Sequence, residues 1–87
     1  MKITFIENAF SEYLSWQHED KKTLRRINEL LKDIQRIGIA EGIGKPEILK
    51  GTKAFSRRID EKNRLVYISN EECGMIILSC KGNYDDL

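Results

Sequence analysis

The stretch DKKTLRRINELLKDIQRIG, residues 20–38, carries the clearest structural pattern of the chain. Its apolar side chains recur with the 3.6-residue period of a helix that buries one face. These apolar positions are Leu24, Ile27, Leu30, Leu31 and Ile34. Asp20 can cap the first turn, and Gly38 can end the helix in a left-handed conformation. The pattern predicts an amphipathic helix whose apolar stripe packs against another element of the same domain.

The residues before this stretch predict a strand followed by a shorter helix. Residues 2–6 form a β-prone run, and Asn8 can cap a helix that begins just after it. Four side chains then fall on one helical face: Phe10, Tyr13, Leu14 and Gln17. The amino-terminal half therefore predicts one strand and two consecutive helices.

The carboxy-terminal half predicts strands. After a glycine-rich loop at residues 41–44, three β-prone runs follow at residues 54–60, 64–69 and 75–80. Their connections are short enough for hairpins, so we expect antiparallel neighbours. A short segment at residues 47–50 can pair as a further strand. The predicted fold is α+β in the order β-α-α-β-β-β-β, with two helices on one face of an antiparallel sheet and the other face free for a substrate.

Length and composition indicate a single domain, residues 1–87. A chain of 87 residues can bury one small core and is too short for two. No apolar run approaches the roughly 18 residues that a membrane-spanning helix needs. The amino terminus lacks the apolar stretch of a secretory signal. We therefore expect a cytoplasmic protein with no membrane partner.

Side chains that commonly bind metals are few. The chain has two cysteines, Cys73 and Cys80, and one histidine, His18, with no C-x-x-C pair. A reducing cytosol favours free thiols over a disulfide. We expect neither a metal site nor a cofactor.

Charged residues are segregated along the chain, although the formal net charge is only +1. Residues 21–36 hold six basic side chains against two acidic ones, and residues 44–64 hold seven against three. Such segments suit a polyanion such as RNA, because phosphate neutralisation supplies most sequence-independent affinity for nucleic acids. A solvated helix face is the alternative for the first segment.

The candidates for chemistry are one glutamate and three arginines. RNA supplies its own nucleophile, the ribose 2′-hydroxyl, so a ribonuclease needs only a base, a cation for the phosphorane and an acid for the 5′-oxygen. Glu47 follows Pro46, whose ring restricts the backbone just before Glu47. This restriction favours a fixed direction for the Glu47 carboxylate. Single glutamates near loops are most often surface charges, and from the residues alone this alternative stays open.

Arg57 and Arg58 are adjacent in a predicted strand and therefore point to opposite faces, so at most one of them shares the face of Phe55 and Ile59. A guanidinium on an otherwise apolar face is either paired with a buried acid or turned toward a ligand. Arg64, at the start of the next strand, raises the same question.

Several runs, in the right order and spacing over nearly the whole chain, resemble the YoeB-type toxins of the RelE superfamily. They are YLSWQ at 13–17, DKK at 20–22, RINEL at 26–30, GIGKPE at 42–47, LK at 49–50, SRRI at 56–59, NRLVY at 63–67, and CK at 80–81 before Tyr84. Each run is weak alone, whereas the set is specific.

The resemblance implies the RelE-like microbial ribonuclease fold and the toxin of a type II toxin-antitoxin system. Such toxins cleave messenger RNA on the ribosome and inhibit translation. By position, the resemblance implies Glu47 as the general base, Arg64 as the arginine that stabilises the transition state, and Tyr84 as the aromatic neighbour of the family's catalytic histidine. The basic side chains implied at the RNA are Lys50, Arg57, Arg58 and Lys81.

The resemblance also implies partners. These are the ribosome and its messenger RNA, and an antitoxin of the YefM/Phd type whose disordered segment folds over the basic groove. Operator DNA is implied only for the toxin-antitoxin complex, and a homodimer is suggested by relatives. A DNA-binding regulator acting alone is disfavoured, because no helix-turn-helix pattern is visible.

The chain departs from the family at residue 83, where Asn83 stands in place of the usual histidine. Asparagine does not release a proton near neutral pH, so the general-acid step loses its usual group. Either Tyr84 or Lys81 supplies the proton, or cleavage is weak, or the chain is an inactive module that binds the ribosome or an antitoxin without cutting. We favour weak or altered activity. The acidic pair Asp85-Asp86 would repel an RNA backbone unless it turns away.

Overall fold

The computed structural model describes residues 1–83. Its elements are β1 (Ile3–Phe5), α1 (Glu7–Glu19), α2 (Lys21–Ile37), β2 (Glu47–Ile48), β3 (Phe55–Arg58), β4 (Arg64–Asn70) and β5 (Gly74–Ser79). The α+β class and the predicted order β-α-α-β-β-β-β are confirmed. No helix within residues 1–83 is long and apolar enough to cross a membrane.

The five strands form one sheet in the order β1-β5-β4-β3-β2. Strands β2 to β5 form the predicted antiparallel meander. Strand β1 instead runs parallel to β5, so the sheet is mixed, and the expectation of a wholly antiparallel sheet is corrected at this edge. The physical reason is that no hairpin joins these two strands. Both helices and three strands lie between them, so no tight turn imposes an antiparallel direction.

Helix α2 begins and ends where the sequence predicts. The Asp20 carboxylate accepts hydrogen bonds from the backbone N–H groups of Lys22 at 3.0 Å and Thr23 at 3.3 Å. At the other end, Gly38 has a φ of 128° and donates its N–H to the carbonyl oxygen of Ile34 at 2.9 Å. Both ends are thus satisfied by local chemistry.

Helix α1 begins earlier than predicted. Its N-cap residue is Ile6, which makes no side-chain cap, and Asn8 lies inside the first turn, so the predicted Asn8 cap is wrong. The Ile6 N–H donates to the carbonyl oxygen of Ile77 in β5, and the Ile6 carbonyl accepts from Phe10 N–H. The chain therefore leaves the sheet and enters the helix at one residue, which tertiary pairing selects over a better capping side chain.

The core lies between the two helices and one face of the sheet. Ile27, Leu30 and Ile34 of α2 are fully buried and belong to one cluster with Leu65 and Tyr67 of β4. Because strand side chains alternate, the residues between the core positions point to the opposite side of the sheet. We call this second side the outer face, and the strand residues Ser56, Arg58, Arg64 and Val66 define it. The helices contribute their buried side chains to the cluster on the first face, whereas Arg58 on the outer face is exposed.

A β-bulge sets the end of β5. Tyr67 pairs with Ile77, but Val66 pairs with Ser79, so Leu78 is an extra residue in β5. The bulge shifts the alternation of side chains between the two faces, so that the Cys80 side chain lies in the core. The carboxy-terminal segment therefore leaves β5 anchored beneath α1.

Candidate functional site

One cross-strand row crosses the outer face. Glu47 of β2 lies opposite Ser56 of β3, Ser56 opposite Val66 of β4, and Val66 opposite Ser79 of β5. Opposed residues project from the same face. Val66 is buried yet lies outside the cluster beneath the helices, in agreement with this placement. Glu47, which is exposed, thus stands at the edge of the outer face.

A second row brings two arginines together. Arg58, at the end of β3, lies directly opposite Arg64, at the start of β4. Each is two residues from a member of the first row, so both share the outer face. Arg58 is exposed and Arg64 is half-buried. Two arginines on neighbouring strands add positive charge to this face, which suits a phosphate.

Glu47 and Arg64 flank the space between these rows. They lie two strands apart and two residues out of register, which corresponds to about 12 Å between Cα atoms at ordinary sheet spacings. Their long side chains can approach one group from opposite sides. The register therefore places Glu47, Arg58 and Arg64 on one face of the sheet. Lys50 is exposed in the turn that follows β2, close in sequence to Glu47.

Arg57 points the other way, into the interior. Its side chain is completely buried, and all five of its N–H donors face acceptors. Nε donates to the Tyr67 hydroxyl at 3.0 Å, and Nη1 donates to Asp33 Oδ2 at 2.7 Å and to the Ile43 carbonyl at 3.0 Å. Nη2 donates to the carbonyl oxygens of Gly38 and Glu41. The guanidinium thus binds the connection between α2 and β2.

The predicted contact between Arg57 and RNA is therefore wrong. A fully buried guanidinium whose donors are all used by the protein presents nothing to a substrate. Of the two alternatives open from the sequence, the structure selects pairing with a buried acid, because Asp33 supplies the opposite charge.

Asp33 and Tyr67 complete this network. The Ile43 N–H and the Arg57 guanidinium hold the pKa of Asp33 below its ordinary value. Burial raises the pKa of Tyr67, against an opposing effect of Arg57, so its hydroxyl stays protonated and donates to the Ile39 carbonyl at 2.6 Å. Sequence reasoning missed both residues. The available signal was a carboxylate at position 33, beside the apolar stripe of α2.

The carboxy-terminal segment reaches the start of β4. The Gly82 N–H donates to Asn63 Oδ1 at 2.8 Å, and the Gly82 carbonyl accepts from the Arg64 backbone N–H at 2.9 Å. Asn83, the next residue, is half-buried. The chain that leads to Asn83 is therefore bonded to the backbone of Arg64. Tyr84 lies outside the described residues.

Lys81 binds α1 instead of extending over the outer face. Its Nζ lies 2.7 Å from Glu19 Oε2, 2.7 Å from Ser15 Oγ and 4.7 Å from the centre of the Trp16 ring. An ammonium group with these partners is held on the helical side of the sheet. Lys81 therefore acts as a clamp between the carboxy-terminal segment and α1, and because its side chain is 32% exposed its RNA contact stays a prediction.

Groups that could hold a metal are not clustered in the described chain. Within residues 1–83, no three histidine, cysteine, aspartate or glutamate side chains come together. Both cysteines are free thiols. Burial, with a smaller effect of Glu12, raises the pKa of Cys80 to about 12, so this thiol is not a nucleophile.

Comparison with known sequences gives one consistent family. A family model described as "YoeB-like toxin of bacterial type II toxin-antitoxin system" matches residues 5–84. Toxin YoeB of Escherichia coli K12 is 42% identical over 86 residues, covering 97% of this chain and 100% of the relative. Toxin YoeB of Synechocystis is 45% identical, with 97% and 98% covered.

Solved structures agree with this relationship. The YoeB dimer of Staphylococcus aureus superposes with a TM-score of 0.89 at 49% identity, covering 97% of this chain and 98% of that one. A YoeB-YefM complex from the same organism gives 0.87 at 48% identity, with the same coverage. A YoeB/ParE toxin from Agrobacterium tumefaciens gives 0.90 at 32% identity, covering 97% and 100%.

Proposed function

The chain belongs to the YoeB-like toxins of bacterial type II toxin-antitoxin systems, and we propose that it is a metal-independent endoribonuclease that cleaves messenger RNA on the ribosome in the cytoplasm. The observation that carries this proposal is the shared outer face. A carboxylate on β2 and a guanidinium on β4 flank a space that is next to a second arginine, Arg58.

Glu47 is the proposed general base. It removes the proton from a ribose 2′-hydroxyl, whose oxygen attacks the adjacent phosphorus. The bond from phosphorus to the 2′-oxygen forms, and the bond to the 5′-oxygen breaks, which leaves a 2′,3′-cyclic phosphate and a 5′-hydroxyl. Glu47 suits this role because it is exposed at the sheet edge, where RNA has access.

Arg64 is the proposed cation for the phosphorane. A guanidinium donates two parallel hydrogen bonds to non-bridging phosphate oxygens, and this interaction strengthens as negative charge develops. Arg58, opposite Arg64 in the sheet, contributes further attraction for the backbone. Lys50, exposed beyond β2, is proposed to bind a neighbouring phosphate.

The leaving 5′-oxygen also needs a proton. Asn83 follows Gly82, whose carbonyl binds the backbone of Arg64, but an amide has no proton to give near neutral pH. We propose that Tyr84 supplies this proton with low efficiency. General acids typically contribute about 10²- to 10⁴-fold in rate, so cleavage is expected to be slow for this fold.

An antitoxin segment is the proposed inhibitor. Beside Arg58 and Arg64, the outer face carries the paired, half-buried Ile68 and Ile76. A segment with acidic and apolar side chains matches this combination. The YoeB-YefM complex of Staphylococcus aureus supports a partner of the YefM type. Titration with such a segment should abolish cleavage, and Arg58→Glu should weaken its binding.

The test uses ribosomes programmed with a defined messenger RNA. Primer extension should detect cuts in the decoding site with the purified chain, and Glu47→Ala and Arg64→Ala should each abolish them. Glu72→Ala, at an exposed turn residue outside the proposed site, is the matched control and should cut normally. Intact messenger RNA at high protein concentration would contradict the proposal.

Asn83 specifically favours a second function, a module that occupies the ribosome without catalysis. In that case the chain sediments with ribosomes and blocks translation while the message stays intact. The same assay therefore separates the two functions.

A further inference from the structure

Little regular structure holds Glu47. Strand β2 has only two residues and lies at the edge of the sheet. Upstream, the chain runs from Ile37 at the end of α2 to Glu47 without a helix or strand. A connection of this kind samples many conformations unless side chains fix it. We call residues 38–44 the pinned loop.

One side chain supplies most of the fixing contacts. Arg57 donates to backbone carbonyl oxygens at the start, middle and end of the pinned loop, namely those of Gly38, Glu41 and Ile43. The Asp33 carboxylate, which pairs with the same guanidinium, also accepts the Ile43 N–H at 2.9 Å. Both polar groups of the Ile43 backbone are therefore bound to one buried ion pair.

We propose that Arg57 is a positioning residue for Glu47. This inference rests on the proposed function, in which Glu47 is the base. Three consecutive residues of β3 each contribute one kind of contact. Ser56 pairs with Glu47, the Arg57 side chain holds the pinned loop from the core, and the Arg58 N–H donates to the Gly44 carbonyl at 2.7 Å. Glu47 follows Gly44 by three residues. Strand β3 therefore binds both Glu47 itself and the segment that leads to it.

Tyr67 connects the same hydrogen-bond network to β4, the strand that contains Arg64. Its hydroxyl accepts from Arg57 Nε and donates to the Ile39 carbonyl in the pinned loop. Tyr67 and Arg64 both belong to β4. The network therefore links the approach to the base with the strand that carries the cation, and it fixes their separation across the outer face.

Gly42 shows how closely the pinned loop fits this network. Its φ is +117°, and a Cβ atom added there would lie 2.0 Å from Asp33 Oδ2 and 2.9 Å from Arg57 Nη1. Any side chain at position 42 must displace the ion pair or the loop. The Gly42 backbone is thus packed directly against the charges that hold it.

The experiment compares two tyrosines, because Arg57→Ala would leave Asp33 buried without its partner and threaten folding. Tyr67→Phe removes one hydroxyl from the network and keeps the ring, which stacks on Phe55 at 6.0 Å. Tyr13→Phe is the matched control. It removes a hydroxyl that donates to Asn28 Oδ1 at 2.7 Å, between α1 and α2.

Single-turnover cleavage on programmed ribosomes should show that Tyr67→Phe lowers the maximal rate by about tenfold or more, because small misplacements of a base are costly. The half-saturating ribosome concentration should not change. Tyr13→Phe should keep both parameters, although it also loses a hydrogen bond. Equal rates for Tyr67→Phe and the wild type would overturn the inference. So would rate losses that follow thermal stability in both variants.

Hydrogen exchange gives an independent readout. Tyr67→Phe should accelerate amide exchange in the pinned loop, whereas Tyr13→Phe should not. Protection that is unchanged in Tyr67→Phe would overturn the inference. If the wild type does not cut at all, the proposed function has failed, and the exchange data still decide whether this network fixes the loop.

Discussion

Trp16 donates its indole N–H to the carbonyl oxygen of Cys80 over 2.9 Å, and this buried hydrogen bond joins α1 to the end of β5. The same carboxy-terminal segment receives a second bond, since the Cys80 N–H donates to Glu12 Oε1 at 2.8 Å. Helix α1 therefore holds the backbone from which the chain continues to Asn83. These two contacts hold the end of β5 against α1.

Trp16→Phe should lower the free energy of unfolding by about 1–3 kcal/mol, because the buried Cys80 carbonyl loses its donor. Urea denaturation followed by far-UV circular dichroism measures this, since Trp16 is the only tryptophan and fluorescence is lost with it. Gln17→Ala, at the exposed neighbouring position, should cost little. A loss below about 0.5 kcal/mol for Trp16→Phe would contradict the importance of this bond.

Asp33→Asn should destabilise the protein at neutral pH, because it leaves the Arg57 charge buried without a carboxylate. The pKa of Asp33 is lowered from 3.8 in the folded protein, so its contribution to stability is present above that value and is lost as pH falls below it. The difference in free energy of unfolding between wild type and variant should therefore reach its maximum above about pH 5 and become smaller below about pH 3.8. Denaturation series from pH 7 to about pH 3 measure the gap. A gap that stays constant would show that the charge of Asp33 is unimportant.

The two cysteines should differ sharply in reactivity. Cys80 is fully buried with a pKa of about 12, whereas Cys73 is half-buried in the turn before β5. Because the thiolate is the reactive form, iodoacetamide should modify Cys73 in the native protein and Cys80 only after unfolding. Mass spectrometry of the modified peptides reports both sites. In Cys73→Ser, native labelling should vanish, and fast labelling of Cys80 would contradict the burial.

Asn83→His should increase ribosome-dependent cleavage, on the order of 10²-fold, because imidazolium can release a proton to the 5′-oxygen. Rates of cleavage from pH 6 to 8 measure the effect. Asn83→Gln is the control, since it keeps an amide and should not raise the rate. If Asn83→His gives no gain while the wild type cuts, a group at position 83 does not serve the 5′-oxygen. Tyr84→Phe should reduce the rate in either case, because Tyr84 is the proposed acid.

Most of the fold could be predicted because its signals are local. The period of the apolar residues in 24–34 and the Asp20 cap define α2 within a few turns of chain. Short connections define the antiparallel meander in the same way. The errors fall where a distant partner decides. The hydrogen bond of Ile6 with Ile77 overrides the Asn8 cap. Strand β1 pairs in parallel with β5, although most of the chain separates the two in sequence.

The candidate site follows the same division. Alternation within β3 established that Arg57 and Arg58 face opposite sides, and the resemblance implied Glu47 and Arg64. Neither source could show that Asp33, 24 residues away, neutralises Arg57. The clamp of Lys81 on Ser15 spans 66 residues and was equally invisible.

The sequence by itself determined the elements, their order and the presence of a carboxylate and arginines near one edge, because periodicity and turn chemistry act over a few residues. Only the tertiary structure decided which arginine meets the outer face and which is buried. A guanidinium has the same intrinsic chemistry at both positions. Its role depends on whether water and phosphate or a buried carboxylate and loop carbonyls surround it, and those surroundings form only when distant segments pack together.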